Sequence, residues 1–391
     1  MALDLTLFSK KLTRYCRQYL VAVHNVSVAT GIDRDRLALL AEGKATPSGD
    51  EVLILADYFK CDFKFFISNE QLAPFEQTEE LFRRHGSELS REDRWSIQEF
   101  LFLCECQDFL IKEFSRIRAV TPFEFKKVGK FHKQHGINAA ASLRKFFAYQ
   151  DHAVPIDVFD DFRRIGIHIF RRKLGQSAIS GIYIRHPIAG HCVLINYDED
   201  IYRQRFSVAH EAAHAILDDS MVSVSKKDQL VKIGGKWTLE QLSEIRANNF
   251  AAAYLVPEVF LRNIPNSASW SETKIIEYSK KMHVNPESLA IGLYNSRLIS
   301  ESEKNTYVAI KIPQHEKKDS ELPDHLSPKG KERKINLLQK GLSDSYVTMC
   351  FDAYREGFIS LGRLSEMLLC NNQVELLELC CIYNQRLEYG D

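Results

Sequence analysis

The stretch Val208-Ala209-His210-Glu211-Ala212-Ala213-His214-Ala215-Ile216-Leu217 constrains this chain more than any other. In a helix its two histidines, four residues apart, stand one turn above each other on the same face. Both imidazoles then point at one place, where a metal ion can sit. Glu211, beside the first histidine, can reach a water on that metal. Zinc lowers the pKa of such a water towards neutrality, and a carboxylate can then take its proton. The small residues around the motif suit a buried, closely packed helix. The plainer alternative is a core helix with two hydrogen-bonded histidines, because the five-residue pattern also occurs by chance.

A zinc site needs a third protein ligand and a position left for water. The best source is Leu242 to Pro257, a second alanine-rich helix that stops at the proline. Glu244, Ala247, Asn248 and Ala251 share one stripe of it, and the small residues there permit close approach to the first helix. Glu240, one turn earlier, is the rival ligand. A solvated carboxylate is the other reading of Glu244.

The two segments together, with Ser180-Gly181, Ile195-Asn196 and Arg205-Phe206 before them, resemble the ImmA/IrrE family of metallopeptidases. The resemblance covers about 165 to 257, and two linked motifs are more specific than one. It implies a zincin-like fold, His210, His214 and Glu244 as zinc ligands, and Glu211 as catalytic base. It also implies a substrate class: a transcriptional repressor or similar regulatory protein, cleaved in response to a signal such as stress.

The rest of the chain frames this site. Length and composition (391 residues, 45% hydrophobic) fit two or three soluble globular domains. Lys plus Arg equals Asp plus Glu at 52 each, so a nucleic-acid role needs a local basic face. The start, Met1 to Ser9, has no basic segment followed by an apolar core, and no apolar run is long enough to span a bilayer. Nine scattered cysteines with no CxxC pair read as reduced thiols, so a cytoplasmic protein without a membrane partner is expected.

The fold expected is α+β and mostly helical. Residues 1–70 form a helical unit, with Phe8, Leu12, Tyr15 and Cys16 as its first apolar set. Residues 71–135 are a helical connector ending in a basic patch from Lys126 to His135. Residues 136–300 hold the metal motifs beside a small sheet, with strands expected at 165–170, 181–184 and 192–196. Residues 301–391 comprise a polar linker at 314–334 and a helical C-terminal module, where Cys380-Cys381 reads as core. Asp33 or Asp35 caps a helix in the first unit. His168 is expected in the core or just behind the metal ligands. His186 and His191 are expected to flank a turn containing Pro187, either solvated or lining the cleft.

The first unit resembles an XRE-type helix-turn-helix through Val28-Ala29-Thr30-Gly31-Ile32, Leu37 to Gly43, Thr46-Pro47 and Leu53 to Phe59. That resemblance implies base contacts from Arg34 and Arg36 and phosphate contacts from residues such as Lys44. Against it, Asp33 and Asp35 sit among the presumed contacts and the unit's charges balance, which weakens the electrostatic part of DNA affinity. Docking onto a protein is the other role, and XRE-like domains also pair, so a homodimer is open. The combined reading is a zinc endopeptidase that cleaves a repressor or antitoxin, coupled to a DNA- or protein-binding unit. Its rival is a DNA-binding transcriptional regulator whose peptidase-like domain senses a ligand or partner without cutting.

Overall fold

The computed structural model describes residues 3–61, 63–69, 81, 89–113, 120–175, 178–218, 220, 222–226 and 237–387. The chain divides into two compact units. One holds residues 1–106, 174–178 and 186–188; the other holds 107–173, 179–185 and 189–391. The connector expected at 71–135 lies partly outside the described residues.

In the first unit, α1 (Leu5–Gln18), α2 (Val23–Thr30), α3 (Arg34–Ala41), α4 (Gly49–Tyr58) and the short α5 (Lys64–Ile67) surround one apolar core. Phe8, Leu12, Tyr15 and Cys16 of α1 are three and four residues apart and all buried, as an amphipathic helix requires. Gly31 ends α2 at φ 74°, a left-handed turn that glycine adopts without a Cβ clash. Asp33 then caps α3 by accepting from the Arg36 amide. Trp95, on α6 (Arg91–Glu113), stacks on Tyr19 with ring centroids 4.6 Å apart.

The second unit is built on a four-stranded sheet of β1 (His168–Arg172), β2 (Ile179–His186), β3 (Gly190–Asn196) and β4 (Val222–Lys226), in the order β1-β3-β2-β4. β1 runs parallel to β3, with His168 opposite Cys192, and β2 runs antiparallel to β4, with Tyr183 opposite Ser223. The first three strands match the expected runs to within a few residues; β4 has no counterpart among them.

Helix α9 (Ile201–Leu217) carries the histidine motif. Asp200 caps it by accepting from the Tyr202 and Arg203 amides. Residues on nearly every side of α9 are buried, so it runs through the middle of the unit. Arg205 is buried in it and donates to the carbonyls of Ile156, at 2.6 Å, and His283, at 3.1 Å. Helix α10 (Leu239–Leu255), opened by a Thr238–Gln241 capping box, packs on α9 and on α7 (His132–Phe146). The α7–α10 approach depends on Gly136: a Cβ there would overlap the Arg246 carbonyl oxygen and stand 2.8 Å from the Phe250 nitrogen. Tyr254 of α10 donates to Asp161 of α8 (Val158–Arg164) at 2.8 Å, fixing the far end of α10.

Shorter helices follow: α11 (Glu258–Arg262), α12 (Glu272–Met282), α13 (Pro286–Asn295) and α14 (Glu301–Tyr307). The C-terminal part holds α15 (Pro328–Gln339), α16 (Asp344–Arg355), α17 (Leu361–Met367) and α18 (Gln373–Ile382). Between them, the polar stretch read as a linker carries buried ion pairs. Arg171 of β1 meets Asp319 at 2.8 Å and Glu321 at 2.9 Å, and Arg163 meets Glu321 at 2.7 Å. Burial opposes a charge on Glu321, but the two guanidinium groups win and hold its carboxyl down at about 2. Among the described residues, no helix is long and apolar enough to cross a membrane.

Candidate metal centre

The two histidines project from consecutive turns of α9 towards α10, and Glu244 projects back from α10. One ligand atom from each of the three residues lies within 4.8 Å of the others. His210 Nε2 is 3.1 Å from Glu244 Oε2, His214 Nε2 is 3.2 Å from Glu244 Oε1, and the two Nε2 atoms are 3.2 Å apart. Glu240 is absent from this group. The other ring nitrogens face away: His210 Nδ1 lies 3.1 Å from Asn248 Oδ1, and His214 Nδ1 lies 2.6 Å from Asp218 Oδ2.

This donor set fits a metal cation. Two imidazole nitrogens and a carboxylate converge on one point, which calls for positive charge, as protons or as a metal; the two compete for the same atoms. Burial works against a charge on Glu244, but the two imidazoles outweigh it and keep its carboxyl well below the usual range. Two nitrogens and one oxygen are a ligand set that suits zinc with an open position.

Glu211 completes the arrangement. Its side chain is fully buried, and neither carboxylate oxygen makes a hydrogen bond among the described residues. The Ser225 hydroxyl is near, but it is directed at the Gly181 carbonyl at 3.5 Å. Burial pushes the Glu211 carboxyl up, against the opposing pull of His210 and His214. A buried carboxyl without partners is costly unless it serves a ligand or a reaction.

Residues 162–294 match the Peptidase_M78 family model, the IrrE N-terminal-like domain. That stretch is similar to a metallopeptidase domain of a zinc-peptidase family, and it includes every residue of the cluster. No curated protein and no solved structure matches the chain.

Within the metallopeptidase-like domain, β2 approaches α9 where Gly181 faces Glu211. A Cβ on Gly181 would stand 3.0 Å from Glu211 Cγ and 3.1 Å from its Oε1. Around it, Ser180 donates to Glu199 at 2.8 Å and Asn196 to the Ile179 carbonyl at 2.9 Å, so the residues flanking Gly181 hold the strand in place. The histidines outside the motif have structural settings. His168 is buried in β1, 2.8 Å from Gln107 Oε1. His186 ends β2 with its ring buried, and His191 lies in β3 against Tyr183, so the two flank the turn at 187–189, as expected, and neither is simply solvated.

Sequence reasoning did not single out Asp218, Ser243 or Arg246 beside the cluster. One signal was available: Asp218 follows His214 by the same four-residue step that separates the two histidines.

The residues considered for nucleic acid lie in the first unit. Arg34 is exposed in the first turn of α3. Arg36 is engaged inside the unit: its Nε and Nη2 donate to the two carboxylate oxygens of Glu51 at 2.7 and 2.8 Å, and Nη2 also donates to the Thr46 carbonyl. It thus ties α3 to the start of α4. Lys44 pairs with Glu42 at 2.7 Å on the surface.

Proposed function

We propose that the chain is a zinc-dependent endopeptidase of the cytoplasm that cleaves a regulatory protein, such as a transcriptional repressor or an antitoxin. What carries the reading is a converging His-His-Glu donor set with a fully buried carboxyl, Glu211, beside it. His210, His214 and Glu244 would hold the metal through Nε2, Nε2 and the carboxylate. When bound, zinc supplies a Lewis acid and lowers the pKa of its water. Glu211 receives the proton of the attacking water at a carboxylate oxygen and returns it to the amine that leaves. Full burial of the carboxyl and a raised pKa both suit a group that must take and give a proton. The first unit is proposed to bind the target, either DNA at its operator or the substrate protein itself. Arg34 and Lys44 are offered for contacts. Arg36 acts chiefly by holding the shape of that surface.

The test compares new protein N-termini in host cells carrying wild-type or Glu211→Gln protein, with zinc measured in both purified proteins. A fragment seen only with the wild type, at about one zinc per chain in each, supports the proposal and names the substrate. Zinc well below one per chain, or no difference in fragments with and without stress, moves the reading to a regulator that binds without cutting.

A further inference from the structure

Metal-binding imidazoles commonly have their second nitrogen fixed by a neighbour, which sets the tautomer and the ring plane. Both histidines here have such a neighbour: Asp218, at the end of α9, for His214, and Asn248, on α10, for His210. The chain leaves α9 at Asp218, whose amide still bonds the His214 carbonyl at 3.0 Å while its backbone turns to ψ 150°. Its side chain therefore folds back one turn onto His214. Oδ2 accepts from His214 Nδ1 at 2.6 Å and also from the Ser243 hydroxyl, and Oδ1 pairs with the Arg246 guanidinium.

Each partner has a physical task. The Asp218 side chain is only 5% exposed, and a carboxylate that deep is costly unless it is paired. Arg246 supplies the countercharge, and Ser243 occupies the lone-pair direction that His214 leaves open. A neutral imidazole has one donor and one acceptor nitrogen. With Nδ1–H donating to Asp218, His214 Nε2 must present its lone pair to the cluster. On the neighbouring turn, Asn248 Oδ1 accepts a hydrogen bond from His210 Nδ1. Lys127 adds a restraint at the helix end, donating to the Leu217 carbonyl at 2.5 Å.

We propose that Asp218, held by Ser243 and Arg246, is a positioning residue for His214, and that Asn248 is its counterpart for His210. Helix α10 thus supplies a ligand and also fixes the donor state of both histidines. This rests on the metal reading given above.

The test uses the full chain and zinc alone, in competition with a chromophoric chelator. Asp218→Asn and Asn248→Leu weaken zinc binding by about 10- to 100-fold. Asn248→Asp keeps the acceptor and restores binding to at least the wild-type affinity, which a merely space-filling role would not do. Ser243→Ala, which removes one hydrogen bond and leaves the Asp218–Arg246 pair, gives a smaller loss with an unchanged melting curve. It keeps the proposal testable if Asp218→Asn fails to fold. Wild-type affinity in Asn248→Leu and Ser243→Ala overturns the positioning role while leaving the metal site intact. A wild-type protein that takes up no zinc overturns both.

Discussion

Placing a methyl group on Gly181 tests the geometry around Glu211 without any knowledge of the substrate. The new carbon would lie 3.0 Å from Glu211 Cγ, 3.1 Å from Oε1 and 3.2 Å from Ile195 Cδ1. Carbon atoms pack at about 3.5–4.0 Å, so at least one neighbour must give way by about half an ångström. Glu211 sits on the central helix and Ile195 on the adjacent strand, and both are fully buried. Overpacking of this kind costs about 1–3 kcal/mol. Most of that cost comes from two atoms of Glu211, and Glu211→Ala removes both. A double-mutant cycle of Gly181→Ala and Glu211→Ala, followed by denaturant unfolding of the metal-free protein, should therefore show a favourable coupling of about 1 kcal/mol or more. The alanine should be clearly harmful next to Glu211 and nearly neutral without it. Additivity within about 0.5 kcal/mol would mean that Gly181 does not face Glu211, and the description of the site would be wrong at that point.

Three further outcomes are expected. Gly136→Ala places a carbon against helix backbone, which cannot rotate away; it should destabilise the protein by about 3 kcal/mol or more and weaken zinc binding by shifting α10, measured by melting and chelator competition. The Glu321 carboxyl is held lower in the folded chain, at about 2, than in the unfolded one. Its contribution to stability is therefore complete above the unfolded pKa of about 4.5 and is lost as pH falls from there towards 2; Glu321→Gln should remove that pH dependence and cost about 3 kcal/mol at neutral pH, read from unfolding curves across that range. Tyr254→Phe removes a hydrogen bond to the buried Asp161 carboxylate and should cost about 1.5–3 kcal/mol in the same assay.

The central helix pair was legible in the sequence because its signals are local. His210 and His214 share a face by helical geometry alone, and Glu244 and Asn248 share one for the same reason. What periodicity cannot supply is which turn of α10 stands level with the histidines. That choice removes Glu240, one turn before Glu244 on the same stripe, and it depends on how Gly136 and Tyr254 seat the helix. Asp218 stayed hidden because a lone aspartate after a helix reads as a solvated end; only the Arg246 pair explains its burial. Composition misled between 314 and 334 for a related reason. Hydropathy treats Asp319 and Glu321 as surface groups, and nothing in their own neighbourhood announces Arg163 and Arg171 as partners. β4 went unseen because Val222-Ser223-Val224-Ser225 alternates over too few residues to stand out from the chain around it.

The grouping of Ser243, Glu244, Arg246 and Asn248 within little more than one turn of α10 gives that segment a reading frame. Each residue added to a helix rotates everything beyond it by about 100°. An extra residue between Ser243 and Asn248 would swing some members of the group away from α9 while leaving the others in place, so the chain would keep its helix and lose its site. The same addition beyond Leu255 would leave all of them in phase. Tolerance to insertion along α10 should therefore change abruptly within a few residues, at a boundary set by angle instead of by composition or exposure.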